Sequence, residues 1–220
     1  LAAVALSRGD LEMARQGWPI VARNLDRISW MAMNMLAFAK ERPLEIAPSD
    51  VGAIARDVVE LMGSTAARKR VRIAAEVADG LPPAPVDANA VHQALLNLVA
   101  NAVEAAPDRT GSVVVAARHD PIEGTVELEV RDNGPGVPAG QRALLFQPFA
   151  STKGQRGTGL GLAVALKLVE QHRGTIRHAD AQPSGTCMTI ALPDHRDDPD
   201  AERTRGPKAG APPAIEFERG

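Results

Sequence analysis

Two asparagines four residues apart, Asn97 and Asn101, interrupt a stretch otherwise made of Leu, Val and Ala. On a helix this spacing puts both amides on one face. Two readings stay open for the pair. The amides can cap nearby backbone groups, as buried amides generally do. Alternatively their oxygens can hold a Mg²⁺ ion and, through it, a polyphosphate, because Mg²⁺ takes hard oxygen ligands and keeps several waters. Farther along, Asp132-Asn133-Gly134-Pro135-Gly136 follows directly on an apolar run. It is either an ordinary turn or the reader of a base. An ionised carboxylate only accepts hydrogen bonds, so Asp132 suits the exocyclic amine of adenine and repels the carbonyl that guanine carries there.

A third stretch, Gly157-Thr158-Gly159-Leu160-Gly161-Leu162, runs three alternate glycines into an amphipathic helical pattern. Glycine admits positive φ and close approach, and the amides that open the next helix are unpaired and partly positive, so such a loop can cradle phosphate. Gly-rich turns also serve simply to pack a helix against a sheet. Just upstream, Phe146, Pro148 and Phe149 precede Ser151-Thr152-Lys153. The phenylalanines read as hinge packing, and Lys153 can approach phosphate as a point charge.

The elements that must position these groups are legible in the periodicity. Residues 1–42 are helical in character: after a turn at Arg8-Gly9-Asp10, the residues Leu11, Ala14, Trp18, Val21, Leu25, Ile28, Ala32, Met35 and Ala39 draw an apolar seam. Such a seam wants another helix. Pro19 inside it predicts a kink or a later helix start. Pro43 and Pro48 bracket a linker over 43–50. Ser49-Asp50 caps a helix reaching about Ala67, Val71 to Val77 alternates as a strand, and Leu81 to Pro85 reads as an extended loop. Asp87 opens an apolar helix to about Ala106, and Ser112 to His119 with Thr125 to Arg131 forms a hairpin. A short helix from Ala139 to Phe146, a helix from the glycine loop to His172, and strands at 175–178 and 186–192 complete the pattern. This order predicts an α+β fold: over 51–193 a two-layer α/β sandwich, a mixed sheet covered by helices, preceded by the long helical segment. Residues 194–220, rich in Pro, Asp and Arg, read as a disordered tail.

Composition narrows the class. With 45% hydrophobic residues in 220, the chain can bury a core in one domain plus an extension. A formal net charge of −2 gives no electrostatic grip on nucleic acid or an anionic membrane, and no stretch is long and apolar enough to span a bilayer. Cys187, the single cysteine, has no internal disulfide partner, which fits a cytoplasmic setting, and it reads as a small residue on a late strand. The chain opens on Leu1 with no signal-peptide pattern, which reads as a fragment of a longer protein.

Taken together, Asn97-Leu-Val-Ala-Asn101, Asp132 to Gly136, Phe146 to Lys153, Gly157 to Gly161 and Ser184-Gly185-Thr186 resemble the ordered boxes of the ATP-binding domain of sensor histidine kinases. That family shares its fold with gyrase, heat-shock protein 90 and MutL. The likeness covers about Val51 to Pro193, and Leu1 to Arg42 is similar to part of the family's dimerisation and phosphoacceptor domain, a four-helix dimer. The resemblance implies ATP and Mg²⁺ as ligands. It makes Asn101 the Mg²⁺ ligand and Asn97 a support for the phosphates. Asp132 becomes the adenine reader, in the loop with Gly134 and Gly136 and assisted by Thr186. Gly157, Thr158, Gly159, Leu160 and Gly161 become the phosphate loop, and Lys153 part of a mobile lid. One branch of the family carries Lys three residues after the Mg²⁺ asparagine; Glu104 stands here, as in another branch, so no phosphate contact follows from that position.

Two absences sharpen what the resemblance implies. Hydrolytic relatives place a glutamate base four residues before the metal asparagine; Asn97 stands there, and its amide has almost no basicity, so efficient ATP hydrolysis is not expected. The family's phosphoacceptor histidine lies on the first bundle helix, yet the first histidine here is His92, read as a surface or supporting residue. The expected function is therefore the catalytic portion of a histidine kinase, dimeric through its first helices and passing phosphate onward to a response regulator. It has no acceptor of its own and is not expected to label itself. The alternatives are an ATP-binding pseudokinase or scaffold, and a stand-alone ATPase or serine kinase of the same superfamily.

Overall fold

The computed structural model describes residues 43–150, 159–195 and 215–217, together with helical positions scattered between 15 and 36. The chain divides into two compact units, Leu1–Glu41 and Arg42–Gly220. In the first, Trp18, Val21, Leu25, Ile28, Ala32 and Met35 are all helical and all exposed, with Trp18 and Ile28 each 62% accessible. The three-and-four spacing of the seam thus lies bare within one chain. Residues on both sides of position 19 are helical, so the helix does not wait for Pro19 to begin. Leu11, Ala14, Pro19 and Ala39 fall outside the described residues.

The second unit begins with β1 (Ala47–Ser49), and Asp50 then opens α1 (Val51–Lys69), its Oδ1 accepting from the Ala53 amide at 2.9 Å. This is the side-chain cap that the sequence implies. The helix ends at Arg70 in the left-handed region, φ 57°, and the chain turns into β2 (Arg72–Val77). β3 (Ala84–Val86) leads to Asp87, whose Oδ1 accepts from Asn89 and Ala90 to start α2 (Ala88–Ala105). The hairpin of β4 (Ser112–Asp120) and β5 (Thr125–Asp132) follows, with Val115 opposite Val130. After α3 (Ala139–Arg142) come α4 (Gly161–Gln171), β6 (Thr175–Asp180) and β7 (Thr186–Pro193).

The main sheet runs β2-β4-β5-β7-β6, with β2 parallel to β4 and the inner neighbours antiparallel. Strict alternation on β5 decides which face is covered: Val126, Leu128 and Val130 are buried while Glu127, Glu129 and Arg131 point the other way. Leu95 and Leu98 of α2 join Val58 of α1 and Ile176, Ile190 and Leu192 of the sheet in one core. Burying each such side chain stabilises the fold by about 1.5–3 kcal/mol. α2 packs against α1, α4 and both hairpin strands, so the helix bearing the two asparagines is held at the centre of its layer.

Three details depart from the sequence reading. The linker and the proline-rich loop pair as a small antiparallel sheet, β1 on β3, with Pro48 opposite Pro85. Prolines cannot donate to a ladder, which masks strand character and confines it to an isolated two-stranded edge. The helix expected to reach Phe146 stops at Arg142; hydrogen bonds from Leu144 to Gln141 and from Leu145 to Arg142 wind the rest as tight turns. Finally, inside the stretch read as a disordered tail, β8 (Ile215–Phe217) lies parallel on the β6 edge. Backbone pairing on an open strand edge needs only a few extended residues.

Candidate functional site

The carboxyl end of β5 carries Asp132, only 6% exposed, and its Oδ1 accepts from the Gly134 amide at 2.7 Å. Burial pushes its pKa above the ordinary carboxylate value, while hydrogen bonds from the Gly134 and Thr186 backbones oppose that rise. A desolvated, acceptor-only carboxylate held in place by backbone amides is the group expected to read an amine. Thr186, at the start of β7, thus touches Asp132 through its amide. The neighbouring Asn133 serves the fold instead. Its Oδ1 accepts from Ser112 at 2.8 Å and its Nδ2 donates to Thr110 at 3.0 Å, tying the loop to the start of β4.

The glycines around Asp132 are fixed by contact. A Cβ on Gly134 would lie 2.8 Å from Asp132 Oδ1 and 2.9 Å from the Ala105 carbonyl oxygen, so the loop sits directly on the end of α2. Gly136, at φ +76°, lies against Gly185. Gly185, the middle residue of Ser184-Gly185-Thr186, stands directly against this loop. At φ +118° it lets β7 approach so closely that a Cβ would come 1.9 Å from the Asp132 carbonyl oxygen.

The asparagines occupy the other half of the site. Asn97 is completely buried on α2, and neither its Nδ2 nor its Oδ1 has a hydrogen-bond partner among the described residues. The capping alternative therefore finds no support at Asn97. Leaving such a group unsatisfied costs about 1–3 kcal/mol, so the amide is poised to accept a partner such as a ligand or water. Asn101 is half-buried one turn on. Gly161 opens α4 beside both: a Cβ there would lie 3.8 Å from Asn97 Oδ1 and 3.9 Å from Asn101 Nδ2. Leu160, 4% exposed, immediately precedes the helix, and Gly159 at φ +65° packs on the Phe149 backbone, its carbonyl accepting from the Phe149 amide at 3.0 Å. Phe146 is buried as hinge packing requires, whereas Phe149 is 72% exposed. Lys153, Gly157 and Thr158 lie outside the described residues.

So one helix, two strand ends and a second helix's first turn converge on a carboxylate at one end and two amides at the other. A family model described as histidine kinase-, DNA gyrase B-, and HSP90-like ATPase matches residues 86–196, half of the chain and all of this site. The chain belongs to this ATPase family. Its relatives are sensor kinases. DctS, the C4-dicarboxylate transport sensor protein of Rhodobacter capsulatus, is 31% identical over 186 residues, covering 84% of this chain and 28% of its own length. The sensor histidine kinase ZraS of Escherichia coli (strain K12) is 32% identical over 180 residues, covering 82% of this chain and 38% of its own length. Among solved structures, full-length ShkA in complex with AMPPNP superposes with a TM-score of 0.70 at 30% identity, covering 82% of this chain and 39% of that one. The chain thus spans less than half the length of each of these relatives. As a family member it carries the ATP-binding domain, and the mixed sheet with its helical layer is that domain's fold.

Other titratable groups find partners away from the site. His92 Nε2 pairs with Asp57 Oδ2 at 2.8 Å, and His119 Nε2 pairs with Asp194 Oδ2 at 2.7 Å. Cys187 on β7 is half-buried, and its thiol is pushed up first by burial and then by the charge of Glu129, so it stays protonated at neutral pH. Among the described residues no helix is long and apolar enough to cross a membrane.

Proposed function

We propose that this chain is the ATP-binding catalytic portion of a two-component sensor histidine kinase. It binds Mg-ATP and presents the γ-phosphate to a histidine supplied by another segment, from which a response-regulator aspartate then receives it. The observation that carries the reading is the buried amide of Asn97, without a hydrogen-bond partner among the described residues, beside Asn101 and Gly161 and opposite a desolvated Asp132. Asp132 reads the adenine amine, Gly159, Leu160 and Gly161 stand at the phosphate end, and the family resemblance gives Lys153, Gly157 and Thr158 a part in phosphate binding. Asn101 supplies one hard oxygen to Mg²⁺. Among the described residues no three His, Cys, Asp or Glu side chains converge on a metal, so the ion would come with the polyphosphate and keep its waters. Its chemistry there is neutralisation of phosphate charge.

Asn97 stands where hydrolytic relatives carry a glutamate base, and an amide does not take a proton from water, so the site favours transfer over hydrolysis. No histidine stands in residues 1–91, and this chain by itself acquires no label. The bare seam through Trp18, Leu25, Ile28 and Met35 supports pairing with a second copy into a helical bundle. Calorimetric titration with a non-hydrolysable ATP analogue and Mg²⁺ tests the reading, with the guanine analogue and Asp132→Ala as controls. Saturable binding of the adenine form alone, lost in the variant, is expected. Failure of the unsubstituted chain to bind would move a scaffold role to the front, and rapid phosphate release would revive the ATPase alternative.

A further inference from the structure

The last turn of α2 is an unusual helix end. Its terminal carbonyls form the partly negative pole of the helix, yet the turn carries no basic residue, and Glu104 adds a further negative charge. The missing cation comes from the end of α1. Lys69 Nζ donates to the carbonyl oxygens of Val103 at 3.1 Å, Glu104 at 2.8 Å and Ala106 at 2.9 Å, and Asp108 Oδ1 stands 3.6 Å away. An ammonium has three N–H donors, and three carbonyls take them. The Lys69 carbonyl also accepts from the Arg109 amide at 3.2 Å, so the end of α1 grips α2 and the loop beyond it.

Within that ring of carbonyls lies Ala105, whose oxygen is the surface on which Gly134 rests. Gly134 in turn donates to the Asp132 carboxylate. A shift of a few tenths of an ångström in the last turn of α2 therefore reaches the adenine loop through one van der Waals contact and one hydrogen bond. We propose that Lys69 is a positioning residue for adenine recognition, setting Asp132 through the α2 terminus and the Gly134 loop. The inference rests on the nucleotide reading above and adds a residue that stands in none of its boxes.

The two halves of the site make the role separable. Lys69 acts on the adenine end, so Lys69→Met should weaken ADP by about tenfold, equally with and without Mg²⁺. Asn101→Ala should matter only when Mg²⁺ is present. Lys69→Arg keeps the charge, but a planar guanidinium cannot point one N–H at each of three converging carbonyls, so it should restore only part of the affinity. Titrations of the whole chain with ADP, with and without Mg²⁺, read all three. ADP binding by the unsubstituted chain comes first: its absence would sink the nucleotide reading itself, whereas a folded Lys69→Met chain with unchanged ADP affinity sinks only the role of Lys69. Should Lys69→Met not fold, amide exchange in the unsubstituted chain decides. The Ala106 and Gly134 amides should slow together on addition of ADP, and slowing of Gly134 alone overturns the inference.

Discussion

The backbone amide of Asp87 donates to Nε2 of His172 at 3.0 Å, joining the residue that opens α2 to the residue that closes α4. The imidazole's other nitrogen, Nδ1, donates to the Leu168 carbonyl at 2.7 Å, which fixes the tautomer and leaves Nε2 to accept. The Asp87 carboxylate meanwhile takes the first amides of α2 on Oδ1 and the Glu45 amide on Oδ2. One small clasp thus ties the segment leading into the domain to both helices that flank the proposed nucleotide site.

That clasp makes Asp87→Ala costly. Loss of the cap and of the bond to Glu45 should lower stability by about 2 kcal/mol, read as a shift in the midpoint of urea unfolding. His172→Phe preserves bulk but leaves the buried Asp87 amide without an acceptor, at about 1–3 kcal/mol. An unchanged midpoint in both variants would show that the clasp adds nothing to the fold.

Asp132 predicts opposed trends in stability and binding. Its folded pKa is raised, chiefly by burial, so the folded chain holds this proton more tightly than the unfolded chain does. The group's contribution to stability is full below its unfolded value of about 3.9 and is lost as pH rises through the higher folded value. The proposed adenine recognition needs the ionised form and should strengthen over the same window. Comparing unfolding and ADP titrations of the unsubstituted and Asp132→Asn chains from acid to neutral pH isolates both. Parallel profiles for the two chains would show that Asp132 does not titrate in this way.

His178 predicts the reverse sign. Burial first, and the Arg142 charge second, push its pKa below the ordinary value, against the pull of Asp180. The folded chain therefore binds this proton less readily, and stability falls as pH drops below about 6.5 toward the depressed folded value. His178→Gln should flatten the unfolding profile as pH drops below about 6.5. Asp194, depressed by hydrogen bonds from His119 and His195, keeps its contribution until pH falls below about 4.

Most of this architecture is legible in sequence because its signals are local. Asp50 and Asp87 announce helix starts through bonds to amides two and three residues away, and the valine-rich hairpin declares its covered face by alternation. What escapes is action at a distance through groups that look ordinary. Lys69 reaches carbonyls more than thirty residues away, and nothing in its neighbours marks it. Asn133, in the loop after Asp132, looks like a ligand group but spends its amide on the backbone of β4 and the residues before it. The pairing of β1 with β3 is hidden because Pro48 and Pro85 face each other across it.

The glycines of the proposed site separate by contact into those whose Cβ the fold excludes and those whose Cβ it would accept. At Gly185 a Cβ would meet the Asp132 carbonyl oxygen at 1.9 Å from a φ of +118°, so Gly185→Ala should unfold the chain or cost several kcal/mol. Gly161 lies in α4 with ordinary contacts, the nearest at 3.8 Å on Asn97. There Gly161→Ala should raise stability by about 0.5–1 kcal/mol by restricting the unfolded chain. The same methyl group, however, points at the two amides that would receive the polyphosphate, so binding of the ATP analogue should weaken while the unfolding midpoint rises. A stabilised Gly161→Ala chain with undiminished affinity would show that the phosphates do not pass between Gly161 and the asparagines, and would count against the site as drawn.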